Sequence, residues 1–420
     1  MAGHLISHVE EPALVRTDDH AGERRNFRLL VLSSVLAKLA DYGLLLVVPL
    51  AVLQQTGSVA WSIVAISLRG VAYAASPLIG ALIDRYDRRT VYAAAMVLQC
   101  LCVVVVAVWT DNVLVLSLAV FLSGLGGVTS SISGQFVLVP ALVRKDNRPE
   151  AVSKLAFAVD LAKLAGFLVG GVSLGAAGQK VALAVVASGY ALAATAAYLL
   201  PRLPVERRKA RLWADLFVGF GWLKQRDLAF LVGTMALSNL AIGALASVLV
   251  TLLGDRDIDP TLISVVLAGS LLVGALGSRL GSRLPRHWTA PTRILLCQLL
   301  LGGAFFVLVG APSIWVQVLC FGVVEFAAGL SNVASITFRQ DVIPAEVAGR
   351  VNSVIRMFIA GAIPLSGMIY ATGEGLHLSF WGPAVVLEIM SLVVWVIFVL
   401  LSRRSTSATL HPAVHHREEA

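Results

Sequence analysis

Charge is the scarce component of this 420-residue chain: Asp, Glu, Lys and Arg make up 14% of it against 58% apolar residues, and the mean hydropathy is +0.84. So little charge cannot coat a water-soluble body of this size, which argues against an ordinary globular domain and for a bilayer as solvent. Cysteine is sparse too. Cys100, Cys102, Cys297 and Cys320 all fall inside apolar runs, where a disulfide framework would brace no loop, so they read as small core hydrophobes. The chain also lacks a Gly-x-x-x-x-Gly-Lys-Ser/Thr phosphate loop, a His-Glu-x-x-His pair and aspartate-rich runs suited to magnesium pyrophosphate. ATP hydrolysis by that machinery and metal-assisted hydrolysis therefore have no residues to carry them. The expectation is a non-enzymatic protein without cofactor or metal, drawing on an ion gradient for energy.

What the chain has instead is apolar runs of about 20 residues, the length a helix needs to cross about 30 Å of hydrocarbon. Twelve are readable, near 27–53, 59–83, 90–110, 112–140, 151–177, 180–200, 228–253, 260–281, 290–310, 312–338, 350–372 and 377–401. The net charge of +8 raises nucleic acid as a partner, but its distribution argues against one. All but six of the 33 Lys and Arg lie in the tails or in the loops on the tails' side. Of the six, Lys180 and Arg256 fall in the opposite loops, and Lys38, Arg69, Lys163 and Arg356 inside helices. This positive-inside pattern places both termini in the cytoplasm. Residues 1–25 are polar, with no short apolar core ahead of a small-residue cleavage site, so no signal peptide is expected and the first span must address the chain.

The organisation read from these runs is an N-tail (1–25), a six-helix bundle (26–200), a basic linker (201–227), a second six-helix bundle (228–402) and a C-tail (403–420). Leu212, Trp213, Leu216, Phe217, Phe220 and Leu223 give the linker an apolar face fit for the membrane interface, unless it is a plain solvated connection. The halves echo one another. GALIDRYDRR at 80–89 aligns with GALGSRLGSR at 274–283, and Pro140-Ala141 ahead of Arg148 and Ser153 resembles Pro344-Ala345 ahead of Arg350 and Ser353. Such a pseudo-repeat is the organisation by which many secondary transporters alternate access to a midplane site.

Gly80-x-x-x-Asp84-Arg85-x-x-Arg88-Arg89 follows the second span. A small residue there lets two helices approach, and a carboxylate flanked by guanidiniums can lock against a neighbouring helix end; alternatively the arginines serve topology alone. The motif resembles the loop signature Gly-x-x-x-Asp-Arg-x-Gly-Arg-Arg/Lys of the major facilitator superfamily, with Asp87 at the second glycine. The resemblance implies an all-α integral membrane fold of twelve transmembrane helices in two pseudo-symmetric six-helix bundles. It also implies a lock closing the cytoplasmic side in the outward-facing state, with Asp84 meeting the start of the eleventh span around Arg350. Gly166-Phe167-Leu168-Val169-Gly170-Gly171 is similar to the Gly-Pro-x-x-Gly-Gly core of facilitator exporters, with Phe167 in the proline position; ordinary helix packing also accommodates Gly166, Gly170 and Gly171. Over residues 26–400 the chain resembles the bacterial drug and siderophore exporters of that superfamily, through 27–58 in the first span, RPEAVS at 148–153 and FRQDVIPAEVAGRVNSVIRM at 338–357. A multi-pass protein of the bacterial inner membrane is implied.

Charges inside spans cost about 2.5–3.5 kcal/mol each at a helix centre and are functional candidates. Lys38 and Asp41 are three apart in the first span, and Asp160 and Lys163 three apart in the fifth, so each pair shares a helix face. A carboxylate beside an ammonium can ionise, and can release its partner when a proton or cationic substrate arrives. Asp41 is the leading candidate, with Glu325 as its counterpart in the tenth span. Arg69 either counters Asp41 or meets an anionic cargo. Arg356 is close enough to its helix end to snorkel, and Glu388 has no evident role. The competing reading is that these charges neutralise one another and fix helix register. Ser123, Thr129, Ser130, Ser133 and Gln135 of the fourth span, with Ser331, Asn332 and Ser335 of the tenth, are expected to line a cavity between spans 1, 4, 7 and 10. His411, His415 and His416 fit a disordered tail better than a metal site.

The sequence thus predicts a monomeric secondary transporter, a proton-coupled exporter of a small amphiphilic drug or siderophore. Its partners would be that small-molecule substrate, protons and the lipid bilayer, with no nucleic acid. Proton-coupled uptake is the alternative, and a membrane enzyme or non-transporting sensor has less support.

Overall fold

A computed structural model describes residues 20–109, 112–203, 217, 219–281, 283–285, 287–311, 313–344, 348–375 and 381–409. Among them there is helix and no strand. Ten helical stretches are long and apolar enough to cross a bilayer. One, Arg148–Tyr198, is broken at Gly178, whose φ of 78° and ψ of 177° leave the helical region at a conformation a Cβ would strain. The fifth and sixth spans are therefore joined by a single residue rather than a polar loop. The second span is assembled from Val59–Val71, a 3₁₀ turn at Ala72–Ala75 and Ser76–Arg85. Twelve spans result among the described residues.

The ends of these helices follow from local chemistry. Ser58, Asn112 and Ser313 each accept a hydrogen bond from a first-turn N–H, closing the second, fourth and tenth spans at their start. The fourth span (Val113–Ile132) loosens into a π-helical turn at Ser133–Leu138 before its last turn Val139–Leu142, where Pro140 has no N–H to offer. The remaining spans are His20–Thr56, Arg88–Val108, the seventh in two pieces (Arg226–Ile242 and Leu245–Gly254), Pro260–Gly281, Ala290–Val309, Ile314–Val342, Ala348–Gly375 and Gly382–Thr409.

Packing distinguishes the two ends of the molecule. Away from the termini one apolar core runs through both halves, joining Leu44–Leu53 of the first span and Ile63 of the second to Leu245–Leu253 of the seventh, Ile263 of the eighth and Tyr370 of the eleventh. Toward the termini the core divides into clusters that stay within one half. Leu30, Tyr92, Leu155 and Leu200 belong to the first half, and Leu231, Ile294, Phe338 and Trp395 to the second. Glycines fix the closures. A Cβ on Gly170 would stand 2.9 Å from the Gly43 Cα between the fifth and first spans, and one on Gly171 would stand 2.6 Å from the Pro260 carbonyl at the start of the eighth. Gly70 packs on Pro364 across the second and eleventh spans. The halves are thus closed together on the side opposite the termini and parted on the terminus-bearing side.

On the terminus-bearing side, Asp87 joins two loops of the first half. Its carboxylate accepts from the Leu203 N–H at 3.1 Å and from Thr90 Oγ1 at 2.8 Å. Partial burial pushes this carboxyl up, but the hydrogen bonds from Thr90 and Leu203 outweigh that and hold it below the ordinary carboxylate value. Arg89 stacks over the Tyr198 ring at 4.8 Å and donates to the carbonyls of Tyr198 and Leu200, satisfying the end of the sixth span. Asp87→Ala is expected to lower stability by about 1 kcal/mol. Because the folded carboxyl lies below its unfolded value, the contribution is present at neutral pH and is lost as pH falls through the carboxylate range. Melting curves of the two proteins should therefore converge in acid. Of the linker's apolar face, Leu212, Trp213 and Leu216 lie outside the described residues, as do the C-tail histidines; Phe220 meets Phe358 edge-on at 6.0 Å.

Candidate transport site

The first and second spans bring three charges together between the halves. Lys38 Nζ donates to Asp41 Oδ2 at 2.8 Å, as the three-residue spacing requires. Arg69 Nη2 is paired with Asp41 Oδ1, and Arg69 Nη1 donates to the Asp41 carbonyl at 3.2 Å. Arg69 therefore counters Asp41. Tyr190 of the sixth span donates from its hydroxyl to Asp41 Oδ1 at 2.6 Å and accepts from Arg69 Nη2 at 3.1 Å. Gln99 of the third span accepts from Arg69 through Oε1, also at 3.1 Å. Asp41 is 6% exposed, so its charge is held by two cations and a phenol and carries one net positive charge with them. Sequence reasoning missed Tyr190 and Gln99. The one signal available was a polar group within an otherwise apolar run.

The triad opens onto a cavity of about 320 Å³. Tyr42, Arg69, Tyr73 and Gly127 wall it on one side, and Gly243–Ser247 of the seventh span with Pro364 of the eleventh on the other. A second cavity of about 710 Å³ runs from Glu325 toward Arg339 and Arg356 at the terminus-bearing end. Asp160 and Lys163 join it from the fifth span, paired at 2.7 Å, with Lys163 Nζ 6.0 Å from the Tyr42 ring centre. Glu325 has no hydrogen-bond or ion-pair partner among the described residues, and its carboxylate lies against Gly274, where a Cβ would come within 3.4 Å of Oε2. Ser331, Asn332 and Ser335 line this cavity as expected.

The fourth-span expectation needs correction. Ser123 and Ser133 are buried without hydrogen-bond partners, Thr129 and Ser130 bond their own helix carbonyls, and only Ser130 reaches a small pocket beside Lys38. Serine and threonine inside a helix satisfy themselves on the preceding turn, so hydroxyls on a span do not by themselves mark a cavity face. The fourth span walls the smaller cavity through Gly124, Gly127 and Val128 rather than through its hydroxyls, and the second, fifth, eighth and eleventh spans join the first, seventh and tenth around the two cavities. Arg356 lines the larger cavity rather than standing apart from it. The Gln135 side chain lies outside the described set.

In the loop motif expected to gate, Arg85 is exposed, Arg88 is half-buried and Arg89 caps the sixth span. A Cβ on Gly80 would meet nothing within 4 Å, so this glycine makes no close helix approach in this conformation. The side chains of Asp84 and Arg350 lie outside the described set. Gly166 packs on the Leu39 carbonyl and Tyr42, and Gly170 and Gly171 form the closures described above. Gly171-Val172-Ser173-Leu174-Gly175 has the spacing of a hydrolase nucleophile turn, but it lies within the fifth span. Ser173 Oγ there donates to the helix carbonyls of Val169 and Gly170, at 2.6 and 3.1 Å, so no strand-to-helix elbow exposes it.

Comparison with known proteins agrees with this architecture. The family profile of the Major Facilitator Superfamily matches residues 30–367. Among solved structures, the nucleoside transporter NupG superposes with a TM-score of 0.72 at 15% identity, over 89% of this chain and 98% of that one. A bacterial homologue of the iron transporter ferroportin, in an inward-facing state, gives 0.71 at 15% over 89% and 98%. The POT family transporter PepTSo gives 0.73 at 12% over 91% and 98%. No curated protein sequence matches.

Proposed function

Because this chain belongs to the Major Facilitator Superfamily and is a multi-pass membrane transporter, we propose that it is a proton-coupled exporter of a small amphiphilic molecule, a drug or a siderophore. The observation that carries the reading is the buried Lys38–Asp41–Arg69 triad facing a cavity walled by both halves. Intramembrane charges are too costly to keep without use, and the junction of two moving bundles is where protonation can be converted into motion. Asp41 exchanges the proton. When it is protonated, Lys38 and Arg69 lose their counter-ion and present a cationic wall to an acidic group on the cargo. Glu325, unpartnered in the larger cavity, receives a cationic group of the cargo, and the Asp160–Lys163 pair flanks it.

The bundles 26–200 and 228–402 move as units joined by the basic linker 201–227, and contact between Asp84 and Arg350 latches the opposite state. With both termini in the cytoplasm of a bacterial inner membrane, the open side faces the cytoplasm, which is the loading state of an exporter. The direction draws on the likeness of Gly166–Gly171 to the exporter motif. The protein acts as a monomer.

Everted vesicles test the reading. When ATP acidifies their interior, fluorescent cationic dyes or iron-free siderophores should accumulate inside and leave when the pH gradient is collapsed. Accumulation only in right-side-out vesicles under an inward proton gradient would show uptake instead. Glu325→Gln is expected to weaken transport of cationic dyes about tenfold, the value of one desolvated charge pair, while anionic cargo is unaffected; concentration dependence of dye transport measures this.

A further inference from the structure

We propose that Glu388 of the twelfth span is a second proton-carrying carboxyl of this transporter, reached from the larger cavity through Ser238. The inference rests on the proton-coupled reading above but concerns a group that reading leaves idle. Glu388 is fully buried, and neither carboxyl oxygen has a hydrogen-bond partner. Ser238 of the seventh span and Tyr370 of the eleventh stand against it, Ser391 lies three residues on along its own helix, and Ser238 is in turn hydrogen-bonded to Ser391 and to Gln298 of the ninth span. None is charged. A carboxylate with no cation and at most one hydroxyl beside it is costly to ionise in such a place, whereas a neutral acid needs only an acceptor for its O–H.

An acceptor is at hand: Ser238 Oγ lies beside the carboxyl. Ser238 is also wired outward. It shares a hydrogen bond with Ser391 Oγ at 2.9 Å, accepts from Gln298 Nε2 at 3.1 Å, and lines the larger cavity. A hydroxyl can accept one proton while giving up another. In exchange, the Glu388 O–H bond breaks, its proton joins Ser238 Oγ, and the hydroxyl's own proton passes to water in the cavity; recharging runs the same steps backward.

The arrangement repeats that of the first half, with a difference that gives it meaning. Spans one, three and six contribute Asp41, Gln99 and Tyr190 to one polar cluster; spans seven, nine and twelve contribute Ser238, Gln298, and Glu388 with Ser391 to the other. In the first cluster two cations hold the carboxylate ionised. In the second no cation is present among the described residues, so the carboxyl there rests protonated, whereas Asp41 rests ionised and takes its proton only during the cycle.

Infrared difference spectra of the full-length protein in lipid, between acid and alkaline buffer, report protonated carboxyl groups directly. A carbonyl component that titrates reversibly should be present in wild type, absent in Glu388→Gln, and retained in Asp41→Asn and Glu325→Gln. Ser238→Ala leaves Glu388 in place and should slow hydrogen–deuterium exchange of that component by at least about tenfold. The proposal is overturned if Glu388→Gln removes no component, if the component persists at every pH, if sodium abolishes it at constant pH, or if exchange in Ser238→Ala matches wild type. A wild type whose Glu388 component titrates while a pH gradient drives no flux of dye or siderophore would sink the proton-coupled reading and leave the proton site standing.

Discussion

Asp41→Asn is expected to abolish pH-driven transport, lowering flux by two orders of magnitude or more, while the protein still inserts and is purified from the membrane. Asparagine keeps the shape of the side chain and removes its charge, so Lys38 and Arg69 face each other across a buried site with nothing to balance them. Breaking one member of a buried ionic set in this way costs about 3–5 kcal/mol. That figure contains two effects, and the variant alone does not separate them. Replacing the cations as well, in a Lys38→Met, Arg69→Met, Asp41→Asn triple variant, removes the uncompensated charge and should restore thermal stability. If the triad only fixed helix register, the triple variant would also transport. The expected result is a stable protein that exchanges no protons, read from pH-sensitive dye trapped in liposomes. Wild-type flux in Asp41→Asn itself would remove this carboxylate from the mechanism.

The reach of sequence reasoning here follows the range of the interactions concerned. Lys38 and Asp41 were legible as a pair because a helix puts positions three apart on one face, and Asp160 and Lys163 likewise. The pairing of Arg69 with Asp41 was legible only as one of two options, because it depends on how the second span packs on the first. Gly124 of the fourth span seats the other side of the second span: a Cβ there would collide with the Arg69 carbonyl. Tyr190 and Gln99 were silent because nothing local distinguishes a phenol or amide facing a site from one facing a neighbour. The twelve spans were legible because desolvating a helix of about 20 residues leaves a strong signal along the chain. What escaped was how spans end. The fifth and sixth meet at Gly178 alone, and the fourth loosens into a π turn at Ser133–Leu138, both decided by single residues inside apolar runs.

Gly171→Ala should displace the conformational equilibrium away from the state described here without unfolding either half. The added methyl would collide with the Ser264 side chain and press on the Pro260 carbonyl, and these contacts join the fifth span to the eighth on the closed side. In any state where that side separates, the same methyl meets open space. Overpacking of this kind costs about 1–3 kcal/mol, and because it falls on one state only, it shifts the ratio of states by roughly 5- to 150-fold. Reactivity of a cysteine introduced at Thr261, on the closed side, with a membrane-impermeant thiol reagent should rise accordingly, in a background with the four native cysteines replaced. Gly80→Ala provides the contrast. Nothing lies within 4 Å of its added Cβ in this conformation, so it costs this state nothing; on the proposed Asp84–Arg350 latch it should oppose the alternative state, lowering Thr261→Cys labelling and slowing transport. Opposite effects of one methyl at two glycines, one on each side of the membrane, are what two rocking bundles require. Equal labelling of Thr261→Cys in wild type and Gly171→Ala would show that the contact between the fifth and eighth spans does not part during the cycle.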